Sequence, residues 1–153
     1  MSQPASSSSP EPGTGLTELE PLVGQWQMVG THPAFANAVN GRSTFEWLQA
    51  GAILVWHFDW ERPGPPSAVS VIGRDDGEEA LTMLYSDERG VQRIYRVRLA
   101  SGVWTMSRTS PGFSQRMTGT LSDDGNTIRV DGELMRDGSR WEPDLAITYT
   151  RER

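Results

Sequence analysis

Turn-forming residues recur at short, regular intervals along this chain, and that rhythm constrains its fold more than any other feature. They are "LQAG" at 48–51, "RPGPP" at 62–66, "RDDGEE" at 74–79, "DERG" at 87–90 and "ASG" at 100–102. "SPG" at 110–112, "SDDGN" at 122–126 and "RDGS" at 136–139 complete the series. Gly, Pro and Asp supply the backbone bends that hairpins need. Regular spacing of this kind points to an all-β meander.

The segments between the turns alternate in polarity. "NTIRVDGELM" sets Ile128, Val130 and Leu134 against Thr127, Arg129, Asp131 and Glu133. "DLAITYT" sets Leu145, Ile147 and Tyr149 against Asp144, Ala146, Thr148 and Thr150. Such patterns describe strands with one buried face. Val91, Ile94, Tyr95 and Leu99 also fit helical spacing, but Val, Ile and Tyr between two glycines favour a strand. Ten strands are expected, at 22–31, 41–49, 52–60, 67–73, 79–87, 90–99, 102–109, 113–122, 126–135 and 140–151. A ten-stranded antiparallel sheet with one polar face curls shut, because closure removes its edges. In "LTELEPLVG", Thr17 and Glu20 form a capping-box pattern that Pro21 ends. One helical turn is expected there, with Leu16, Leu19 and Leu22 plugging one end of the barrel. The span "THPAFANAVNG" reads as a loop or lid over the other end, sealed by Phe35.

The first strand opens with Gly24, Trp26 and Gly30 in "LVGQWQMVGTHP". This resembles the G-x-W start of the calycin superfamily, lipocalins and fatty-acid-binding proteins among them. It is more specifically similar to nitrobindin-like haem-binding barrels, whose first strand reads G-x-W-x-G-x-G; Met28 stands where that pattern has glycine. The resemblance implies a small antiparallel barrel around an apolar cavity. It also implies haem as a cofactor held by a histidine near the C-terminus, but the last strands of this chain contain none. Tyr149 is the residue there able to ligate iron, as a phenolate.

Composition narrows the chemistry. The 153 residues suit one domain, a disordered Ser/Pro/Gly-rich tail at 1–15 followed by a ligand-binding β-barrel at 16–153. Cysteine is absent and all 14 basic residues are arginine. That excludes disulfides, thiolate chemistry, lysine Schiff bases and a P-loop. A net charge of −6 argues against nucleic acid as a partner. No signal-peptide core or membrane-spanning run is present, so a soluble cytoplasmic protein is expected. "DDGEE" and "DDGN" miss the calcium-loop pattern, and neither histidine has a second one at ligand spacing, so no metal site is expected.

Candidate site residues follow from the faces. In "TFEWLQAGAILVWHFDW", Leu54, Trp56, Phe58 and Trp60 oppose Ile53, Val55, His57 and Asp59. Aromatics inward leave His57 structural; aromatics outward leave an apolar patch suited to a homodimer. The expected cavity is lined by Trp26, Phe45, Trp47, Met83, Tyr95, Met106, Met117, Ile147 and Tyr149. Arg93, Arg108 and Gln115 share those inward faces. Either these arginines pair with Glu46, Asp59 or Glu79, or they anchor the polar end of a small, mostly apolar or amphipathic ligand. The alternative is a cofactor-free isomerase, dehydratase or cyclase using His57 with Asp59, or Tyr95 beside Arg93, for proton transfer.

Overall fold

The computed structural model describes residues 16–138 and 140–153; the segment read as a disordered tail lies outside them. Ten strands follow one another: β1 Gly24–Thr31, β2 Val39–Leu48, β3 Ile53–Trp60, β4 Ala68–Arg74 and β5 Leu81–Asp87. Then come β6 Gln92–Ala100, β7 Val103–Arg108, β8 Ser114–Leu121, β9 Thr127–Met135 and β10 Glu142–Arg151. Each pairs antiparallel with its sequence neighbours, and β1 pairs with β10 from Trp26↔Arg151 to Thr31↔Ala146, closing the barrel. Every strand begins and ends within two residues of its expected bounds. The ambiguous segment is a strand, with Tyr95, Val97 and Leu99 buried and Ile94, Arg96 and Arg98 exposed. No helix among the described residues is long and apolar enough to cross a membrane.

One end of the barrel is plugged as expected, but by different means. Residues Thr17–Leu22 form a 3₁₀ turn that buries Leu16, Leu19 and Leu22 completely. The capping box does not form: Leu16 occupies the N-cap without a side-chain bond. The Glu20 carboxylate instead accepts from Trp47 Nε1 at 3.1 Å. Pro21 lies inside the turn rather than ending it; so short a turn loses little by its missing N–H. Burial of the three leucines, not capping, holds the segment.

Arg151 clasps this plug to the barrel. Its guanidinium lies 4.1 Å from the centre of the Trp26 ring and donates to the carbonyls of Val23 and Pro21, both at 2.7 Å. Trp26 Nε1 donates in turn to the Leu22 carbonyl at 2.9 Å. Gly24 adopts φ +129°, and a Cβ there would stand 2.8 Å from Arg151 Nη1. The G-x-W opening therefore has a local cause: glycine leaves room for the guanidinium that covers the indole.

Above the plug the interior is solid. Phe45 stacks on Trp56 at 5.0 Å, and Trp104 meets Phe45, Trp56 and Tyr149 edge-on at 5.8, 5.2 and 6.0 Å. These arrangements suit the ring quadrupoles. Nearer the open end, the Trp60 indole lies across Gly30 and Gly41. A Cβ at Gly41 would meet the Asp59 carbonyl at 2.5 Å and Trp60 Cε3 at 2.9 Å. Gly41→Ala is expected to lose roughly 1–3 kcal/mol through overpacking. Gly73→Ala, with nothing within 4 Å of the added carbon, is expected to change stability by less than about 0.5 kcal/mol. Urea unfolding followed by tryptophan fluorescence compares the two.

Candidate functional site

The upper half of the barrel is hollow. A cavity of about 330 Å³ opens between the loops that follow β1, β3, β5, β7 and β9. That volume lies near the small end of the roughly 300–1,000 Å³ typical of small-molecule sites. Met28, Met83, Met106, Met117 and Ile147 give it an apolar wall, and Trp56, Phe58, Trp60, Tyr85 and Tyr95 an aromatic one. The methionines add a deformable surface. Phe35 and His32, with ring centres 5.3 Å apart, stand at the mouth on the loop expected to cover it.

Of the residues expected around the cavity, Met83, Arg93, Tyr95, Met106, Gln115, Met117, Ile147 and Tyr149 line it. Four others do not. Trp26 and Phe45 belong to the solid floor, and Trp47 sits at the plugged end bonded to Glu20. Arg108 turns back to donate to the Phe113 carbonyl at 3.3 Å and borders an outer groove between β6 and β7. His57 and Asp59 are exposed on the outer face, across from Thr44 and Arg42 of β2. Burial of Trp56 and Trp60 decides that orientation. The exposed aromatic patch that would call for a homodimer therefore does not form, and a His57–Asp59 pair cannot act on a molecule in the cavity.

A string of hydrogen bonds crosses the mouth. The Tyr95 hydroxyl donates to Gln115 Oε1, and Gln115 Nε2 donates to Asp144 Oδ2 at 3.0 Å. Asp144 Oδ1 lies 3.2 Å from His32 Nε2. Because His32 Nδ1 accepts from the Ala34 N–H at 3.0 Å, its ring proton sits on Nε2 and points at the carboxylate. The sequence pattern placed Asp144 on the outer face. A bulge between Pro143 and Ala146 re-aims it: one extra residue on β10 lets both Asp144 and Leu145 line the cavity. Gly132 on β9 makes room, since a Cβ there would stand 2.7 Å from the Leu145 carbonyl.

Charge on the wall is unevenly satisfied. The Arg93 guanidinium packs over Phe113 at 4.3 Å and has no carboxylate partner among the described residues. Arg136, also on the wall, likewise has none among them. Glu46, Asp59 and Glu79, the internal partners considered for the arginines, are all exposed. Burial pushes the Tyr95 pKa up, against the opposing pull of Arg93 and Arg108. Tyr85 is also pushed up, first by burial and then by its bond to Asp87 at 2.7 Å. Asp87 is the reverse case. Burial would raise it, but donors from the Arg89 side chain, the Tyr85 hydroxyl and the Arg89 and Val91 backbone hold it well below the usual carboxylate range.

The donor set does not fit an iron porphyrin. His32, the one histidine at the cavity, has both ring nitrogens engaged. Tyr149 is pushed up by burial with no charge beside it, so the phenolate is disfavoured. Among the described residues no group of three or more His, Asp or Glu side chains is placed to hold a metal ion.

No protein-family sequence model matches the chain, and no curated protein matches it. Solved structures do. Rv2717c from M. tuberculosis superposes with a TM-score of 0.63 at 14% identity, over 91% of this chain and 98% of that one. A DUF3598-family protein of unknown function from Nostoc punctiforme PCC 73102 gives 0.60 at 14% identity, over 88% of this chain but 49% of its own. At these identities the likeness establishes the barrel fold and nothing finer.

The depressed Asp87 pKa carries a sign. A carboxylate lowered on folding contributes stability above its unfolded pKa, about 3.9, and loses it as pH falls through the folded value. Asp87→Asn is expected to lower the urea midpoint at pH 7. It should also flatten the loss of stability that the native chain shows below about pH 4.

Proposed function

We propose that the barrel binds a small, mostly apolar molecule carrying an acidic group, with its apolar part in the methionine- and aromatic-lined cavity. The observation that carries this reading is the Arg93 guanidinium, packed over Phe113 on the cavity wall with no carboxylate partner among the described residues. Arg93 is half-buried and also borders the outer groove, and a guest that covers it from the cavity side makes it costly to enclose unless that guest brings an anion. Arg136 supplies a second positive charge at the same opening. Gln115 and Tyr95 complete the polar end, with the Tyr95 proton directed at Gln115 and its oxygen beside the Arg93 guanidinium. The G-x-W opening and the closed ten-stranded barrel support placing the chain beside calycin-type carriers.

Acid/base catalysis is less well supported. With His57 and Asp59 outside, the remaining candidate is Tyr95 beside Arg93, and its proton is already committed to Gln115. We therefore favour binding over turnover.

Isothermal titration with octanoate and octanol tests the reading. Octanoate is expected to bind saturably, one per chain. Arg93→Ala should weaken it about tenfold or more while leaving octanol unchanged, the scale of a lost charge-assisted hydrogen bond. Met117→Trp, which fills the cavity, should abolish both. Absence of saturable octanoate binding, or equal weakening of acid and alcohol by Arg93→Ala, would overturn it.

A further inference from the structure

We infer that the cavity contains a second hydrogen-bonding subsite at its floor, formed by Tyr149, and that the molecule bound is oxygenated at both ends. This rests on the binding reading above and sharpens it: an acid at the mouth, and a hydroxyl or carbonyl oxygen at the buried end.

The three tyrosines of the chain all border this cavity, and two have partners. Tyr85 donates to Asp87 and Tyr95 donates to Gln115. Tyr149 is 1% exposed, yet its hydroxyl makes no hydrogen bond among the described residues. Its ring neighbours are Trp26 and Trp104, edge-on at 6.3 and 6.0 Å, and they offer no acceptor. Buried hydroxyls without partners are uncommon and destabilising. Phenylalanine would fill the same space without that cost, so the oxygen calls for a reason.

Reach separates Tyr149 from the other unsatisfied groups. The Nε1 atoms of Trp60 and Trp104 and the Ser70 hydroxyl are sealed away from any molecule in the cavity. The Tyr149 hydroxyl is not among those sealed atoms, and its residue lines the cavity. Burial alone raises its pKa, so it stays a neutral hydroxyl that both donates and accepts. With no charge nearby, an ammonium or carboxylate at this depth would go unpaired. A neutral oxygen is the group it suits. Arg93 at the start of β6 and Tyr149 near the end of β10 stand at opposite depths of the hollow, and an acid spanning them satisfies both.

The test compares octanoate with 8-hydroxyoctanoate by isothermal titration. The native chain is expected to bind the hydroxy acid about 3- to 10-fold more tightly, the gain of one buried hydrogen bond. Tyr149→Phe should erase that preference and leave octanoate affinity unchanged. Equal affinities in the native chain, as when a retained water already satisfies the phenol, would overturn the floor subsite and leave the proposed function standing. A preference that survives Tyr149→Phe would also overturn it. If neither acid binds, both readings fall. Should Tyr149→Phe fail to fold, the tyrosine ring ¹³Cζ resonances of the native chain serve instead. The Tyr149 signal should move with the hydroxy acid and not with octanoate, and an unmoved signal overturns the subsite.

Discussion

The clasp of Arg151 on Trp26 is the interaction on which the rest of the barrel depends. A closed sheet of ten strands has two open ends, and a site that excludes water needs one of them shut. Here the guanidinium covers the indole and fixes two carbonyls of the leucine-rich 3₁₀ turn, tying the two ends of the described chain together across the seam between β1 and β10. A planar cation with several donors can stack and hydrogen-bond at once, which lysine cannot. With that end sealed, Phe45, Trp56 and Trp104 pack upon it and set the depth at which the hollow begins.

The site, by contrast, comes from departures from regularity. Strict alternation along β10 would turn Asp144 to solvent and leave Gln115 Nε2 without its acceptor. The bulge at 144–145 brings the carboxylate inward, so that residues from β10, β8, β6 and the β1–β2 loop join in one string. Each link constrains the next: the Ala34 amide sets the His32 proton, His32 and Gln115 together keep Asp144 as an acceptor, and the Gln115 amide sets which way the Tyr95 proton points. A uniform barrel wall is thereby given a polar edge of defined direction.

The fold was legible because its signals are local. Turn residues and alternation each span a few positions, and all ten strands were read from them. The capping box failed for the opposite reason: Glu20 was drawn to Trp47, 27 residues away, and no local pattern announces that partner. Arg108 shows the same limit, since its inward face says nothing of a guanidinium turning back to its own hairpin. Alternation alone turns Asp144 outward, although two signs in the sequence argue otherwise. Pro143 inside a strand and Gly132 inside its neighbour both mark a bulge, and together they could have turned Asp144 inward. Tyr149 was placed correctly by alternation, but that its hydroxyl lacks a partner is a property of the assembled interior.

The charge balance adds a further constraint. On the proposed binding reading, a chain of net charge −6 repels acids at long range, so attraction to Arg93 and Arg136 would act at contact rather than by steering. Salt screens the two unequally. The diffuse repulsion from exposed carboxylates weakens within about 8–10 Å at ordinary ionic strength, whereas a desolvated guanidinium–carboxylate contact is much less affected. Charge alone would then select poorly among acids. On the same reading the apolar wall would supply most of the affinity, and the polar groups proposed at the two depths would supply the choice between molecules of similar size.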